Sequence, residues 1–364
     1  MRPGHNPLHF TQQTIFFSLV LLLIGCENND SDAPVPILVG NTNEWLIPSN
    51  QVFDGGPGKD GIPALTTPNM INVSEVNYLK DDDLVVGYKF GNDVRAYPHP
   101  ILDWHEIIND EVNGHPIAII YCPLTGTATG WERTLKGQVT TFGVSGLLYN
   151  TNVIPYDRLT DSNWSQMRLD CVNGELNSTP ASVFQVIETT WSTWKAMYPQ
   201  SKVASTETGF ARTYGLYPYG SYRTNNDSFL FPFSPKDERL PNKERVLGVI
   251  VDNKAKAYRF THFENGLDLL LDSFNGKNLI IVGSKPDNFL MAFDVSGSDI
   301  ASLTFEVEKS SGASIILKDN EGDLWDVFGE AVDGPRKGTK LKSVNSYIGY
   351  WFSWGAFYPG IEIF

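Results

Sequence analysis

Residues 99–131, HPILDWHEIINDEVNGHPIAIIYCPLTGTATGW, gather His99, His105, His115 and Cys122 into one short stretch. Imidazole and thiolate are ligands for copper or zinc, and two histidines, a cysteine and a weak methionine make an electron-transfer copper set. His99, His105, Cys122 and Met167 are therefore the candidate metal ligands, with His115 or Glu106 as further donors. HEIIN is not a zinc-protease motif, because Asn109 stands where the second histidine is required.

Cys122 also qualifies as a nucleophile, with His105 as its base and Glu106 or Asp110 to orient the ring. That chemistry requires an accessible thiol of lowered pKa. The acidic pairs Asp157 with Asp161 and Glu106 with Asp110 admit glycoside hydrolysis. A non-enzymatic alternative uses Trp104, Trp131, Tyr149, Tyr156 and Arg158 as a contact surface for a carbohydrate, a peptide or an envelope protein. Each set has a structural counterpart. The histidines can bond to backbone, Cys122 and Cys171 can be bridged or buried as thiols, and the aromatic rings can fill a core.

The elements that would position these groups are mainly β. LVVGYKF and DVRAYPHPIL read as a hairpin turning at Gly91 and Asn92, and HPIAIIYC reads as a buried strand ending at Cys122. TTFGVSGLLYNTNVIPYD holds further short strands, whereas SVFQVIETTWSTWKAMYP has helical spacing up to Pro199. FDGGPGKDGIPALTTP is rich in turn formers, and its aromatic flanks suit a cover over a binding face.

Markers recur in one order at a displacement of 160 to 162 residues: RAY with KAY, VNGHPIAII with FNGKNLIIV, Trp164 with Trp325, and TTWSTWKAMYP with GYWFSWGAFYP. This predicts an α+β chain, mainly β, of two homologous units from an internal duplication, each ending in a short helix. The units are 84–199 and 246–364. A lipoprotein-type signal (1–26), a tether (27–45) and an extension packing on the first unit (46–83) precede them, and an aromatic-rich connector (200–245) joins them. The recurring tryptophans belong to both cores. The histidines and Cys122 have no counterparts in the second unit, which places any site in the first.

Arg2, the apolar run IFFSLVLLLIG and then Cys26 resemble a bacterial lipoprotein signal, which implies lipidation at Cys26 and anchoring in the cell envelope. The run is short for a membrane span. With 42 acidic against 28 basic residues, the chain lacks the positive footprint of a nucleic-acid binder.

AYPHPILDWHEIINDEVNG, YCPLTGTA, FGVSGLLYNTNVIPYDRLTDSNWSQ and DLWDVFGEAVDGP together resemble the bacterial and archaeal domain of unknown function numbered 3179. The resemblance spans roughly residues 50–360 and implies an exported or lipid-anchored protein with no assigned reaction. Relatives often carry CPLCG where this chain has CPLTG, so Thr125 removes a Cys-x-x-Cys pair and weakens thiol-redox or thiolate-zinc chemistry. The expectation is a membrane-anchored protein with a metal or small-ligand site around His105 and Cys122.

Overall fold

A computed structural model describes Met1, residues 45–297 and residues 299–364; the signal, Cys26 and most of the tether lie outside them. Strands dominate, with three short α-helices among the described residues. No described helix is long and apolar enough to cross a membrane. Residues 45–297 and 299–364 belong to one compact unit.

The first half carries three five-stranded sheets. In one, Leu84–Phe90 pairs antiparallel with Asp93–Pro98 through the expected turn, and Ile187–Thr190 closes its far side. In the next, Ile107–Val112, His115–Cys122 and Thr127–Glu132 form a meander. The third pairs Phe142–Tyr149 with Asn152–Asp157, with a bulge between Val144 and Leu147. The extension adds one strand to each: Met70–Asn72, Leu65–Thr66 and Val52–Asp54. His115–Cys122 is buried on both faces over Ile117–Cys122, which its continuous apolar run explains, since successive residues point to opposite faces.

The second half carries three four-stranded sheets. Arg245–Val251 and Lys254–Arg259 form its first hairpin, and Lys277–Ser284 is its fully paired central strand. Matching local devices occur in both halves. The Trp164 indole donates to Asp157 at 3.0 Å, and Trp325 donates to Asp319 at 3.0 Å. A Cβ on Gly87 would meet the Trp194 ring at 2.0 Å, and one on Gly248 would meet Trp354 at 2.1 Å. All four tryptophans are buried, in agreement with a packing role.

Two sequence expectations need correction. The HPIL end of the first hairpin is not strand: His99–His105 is a helix, α1, with Pro100 in its first turn, where the missing N–H costs nothing. Nor is 182–199 helical throughout. Val183–Phe184 and Ile187–Thr190, three of whose four residues are β-branched, are strands, and helix α2 occupies only Trp191–Met197. Thr190 caps it by accepting from Thr193 N at 3.2 Å. Helix α3, Trp351–Phe357, ends the second half similarly.

Candidate functional site

The structure does not gather the proposed metal ligands. His105 is fully buried, and both ring nitrogens are engaged: Nδ1 with Pro63 O at 2.7 Å and Nε2 with the Tyr214 hydroxyl at 2.7 Å. His99 faces Glu188 at 3.2 Å, and His115 lies between the Tyr88 hydroxyl and Glu132. Met167 is a core side chain whose carbonyl accepts from Tyr347 and Tyr358. Among the described residues no group of three or more His, Cys, Asp or Glu is placed to hold a metal ion.

Cys122 and Cys171 are two buried free thiols, so the bridged alternative is not the one adopted. Cys122 Sγ donates to Thr151 O at 3.6 Å, whereas Cys171 faces the carbonyls of Asn163 and Asn173. Burial first, then the negative field of Glu106, pushes the Cys122 thiol up to about 11. A nucleophile needs the opposite environment.

Glu106 is the residue that stands apart. It ends α1 with φ +57° and ψ −36°, a left-handed conformation that L residues with side chains avoid. Such backbone strain, about 1–3 kcal/mol, persists where surrounding structure enforces it. The result sets His105 and Glu106 to different tasks. His105 holds Pro63, while Glu106 enters the wall of a small pocket of about 80 Å³. The rest of that wall is mainly apolar, with Ile62, Leu124, Leu147, Val153 and Phe231 among its members. Tyr219 donates to Glu106 Oε1 at a long 3.4 Å. Burial pushes the Glu106 carboxyl up to about 7, and the Tyr219 hydroxyl only partly offsets it.

Gly55–Pro63, from the glycine- and proline-rich segment, forms a strap along one side of the pocket, which Gly55 and Pro57 line. Its backbone bonds the bulged strand, Gly55 N to Gly146 O at 2.7 Å and Asp60 N to Val144 O at 2.8 Å. Gly146 has φ +81°, and a Cβ there would meet the Gly58 carbonyl carbon at 2.7 Å, so the strap lies this close only over glycine. Asp60 accepts from Tyr156 Oη at 2.5 Å and Arg158 Nη2 at 2.7 Å, while Lys59 pairs with Asp161.

Three of the four segments whose motifs carry the resemblance therefore have assigned places. The DWHE turn supplies the acid and CPLTG supplies Leu124. The FGVSGLLYN strand supplies the bulge, and YDR holds the strap. A family model for a protein of unknown function, DUF3179, matches residues 59–361. This chain belongs to the DUF3179 family. No curated protein and no solved structure matches it.

The remaining candidates of this DUF3179 chain serve its framework. Trp131 is buried against Phe142 and Trp164. Trp104 donates to Leu216 O at 3.1 Å, and Tyr149 packs edge-on against Phe357. Tyr156 and Arg158 hold the strap through Asp60. Asp157 accepts from Trp164 and Thr160, and Asp110 from Arg95 and Tyr97, which commits one carboxylate of each proposed acidic pair to structure. Sequence reasoning missed Tyr219 and Phe231, more than a hundred residues from Glu106 in the chain. The one available signal was the aromatic density of the connector.

Proposed function

We propose that this DUF3179 chain is a lipid-anchored protein of the bacterial cell envelope whose first-half pocket binds a small, mainly apolar molecule at Glu106. One observation carries the reading: a buried carboxyl, held in a strained backbone conformation, lines an apolar pocket, and its side-chain partner among the described residues is Tyr219, at a long 3.4 Å. An acid placed there only for packing would be replaced without loss by an apolar side chain, since burying a poorly bonded polar group is unfavourable. A pocket with a few convergent polar groups is the usual form of a small-molecule site. The second half serves as scaffold, and the matched tryptophan and glycine devices support descent from a duplication. The lipoprotein-like sequence ending in Cys26 supports the anchor and hence the membrane as partner.

The test uses the full chain and three probes of similar size: acetophenone, benzylamine and toluene. Saturable binding of at least one is expected by ligand-observed NMR. In Ile62→Trp, which fills the pocket from the strap, that affinity falls at least tenfold at an unchanged melting temperature. Failure of all three probes, or undiminished binding to the variant, removes the pocket as a site. Palmitate labelling lost in Cys26→Ala checks the anchor, and labelling that persists in the variant would refute it.

A further inference from the structure

We infer that the molecule taken by this pocket is a neutral oxygen acceptor on an apolar body, such as a small ketone, ester or aldehyde, held by a hydrogen bond from Glu106. The inference rests on the pocket reading above and adds the chemical class.

Three ligand classes meet different fates there. An anion finds no lysine or arginine in the wall and faces the acid. An ammonium brings three donors, each of which needs an acceptor when buried. Three carbonyls of the wall residues are already engaged: Val144 O by Asp60 N, Gly146 O by Gly55 N, and Leu124 O by the Tyr222 hydroxyl at 2.9 Å. Glu106 would then be left to satisfy an ammonium almost alone, and both charges would be desolvated.

A neutral acceptor needs one donor. The Tyr219 hydroxyl donates to Oε1, which leaves Oε2 to carry the acid proton toward a ligand. Burial keeps Glu106 protonated up to about pH 7, so the donor exists under ordinary conditions. Ile62, Leu147, Val153 and Phe231 then enclose the apolar body.

Titrating the full chain with acetophenone, benzylamine and benzoate from about pH 5.5 to about pH 8.5 separates the classes. Acetophenone is expected to bind tightest at the acid end and to weaken by about thirtyfold across the range as Glu106 loses its proton. Glu106→Gln keeps an N–H donor and cannot ionise, so its acetophenone affinity stays flat with pH. Benzylamine binding that strengthens above pH 7 and exceeds that of acetophenone would overturn the class while leaving the pocket intact. A wild-type pH profile retained in Glu106→Gln would overturn the donor assignment. Absence of binding by every probe, toluene included, would instead remove the pocket itself.

Discussion

Glu106→Gln is expected to stabilise the protein by about 3 kcal/mol above pH 8 and to change little near pH 4. The folded chain holds the carboxyl at about 7 against an ordinary value of 4.5. Below 4.5 both folded and unfolded chains keep the proton, and the acid makes no difference. Between 4.5 and 7 the folded chain retains a proton that the unfolded chain has released, so stability falls as pH rises. Above 7 both are ionised and the deficit is constant, because each tenfold difference in proton affinity between the two states corresponds to about 1.4 kcal/mol. Glutamine never ionises and escapes that loss. Urea unfolding at pH 4, 6 and 8 checks the prediction. Asp103, raised by burial to about 6, adds its own slope at lower pH and should persist in the variant. Equal stability of the two proteins at pH 8 would show that Glu106 is an ordinary solvated carboxylate. A site residue that destabilises its own fold at neutral pH is expected where function opposes stability.

Glu188→Ala is expected to destabilise the fold by about 3 kcal/mol, through a cluster that ties the halves together. Glu188 lies on Ile187–Thr190 of the first half, and its carboxylate pairs with Arg245 at the start of the second half's first strand. His99 of α1 lies on its other oxygen at 3.2 Å. Burial alone would raise the Glu188 carboxyl, but Arg245 and His99 outweigh it and hold it below the usual range. Removing the carboxylate leaves a partly buried guanidinium without its counter-charge, a loss of about 3–5 kcal/mol in fully buried pairs. Arg245 keeps Asn288 Oδ1 at 2.7 Å and some solvent, which places the expected loss at the lower end. Because the folded pKa is depressed, this stabilisation is present above the unfolded value and disappears as pH falls through the folded one. Glu188→Ala should therefore differ most from wild type at neutral pH and least in acid. A loss under about 1 kcal/mol at pH 7 would mean that the pair contributes no more than a surface bridge.

The hairpins and the buried strand ending at Cys122 were legible because apolar runs and turn residues are local signals. The paired tryptophans were legible because order and spacing repeat. α1 was not: HPILDWH is short, and a proline after an extended hairpin reads equally well as a continuing strand. The cysteine and histidines attracted attention through reactivity, yet His105 acts as an anchor for Pro63 and Cys122 as a buried thiol. Their neighbour Glu106 was named only as a helper. Its importance comes from a backbone conformation and from Tyr219 and Phe231, which sequence spacing does not connect to it. The strap was visible as a run of turn formers, and a cover over a binding face was one of its two readings. What fixes it there, the close approach of Gly58 to Gly146, is a property of two distant segments.

The most direct measurement is the titration of the Glu106 carboxyl by carbon-13 NMR, assigned with Glu106→Gln, in the presence and absence of saturating acetophenone. A midpoint near 7 is expected for the free protein and a higher one with acetophenone bound, because the ligand takes its hydrogen bond from the protonated acid. A midpoint at the ordinary glutamate value, or one that acetophenone leaves in place, would contradict a buried, proton-donating Glu106.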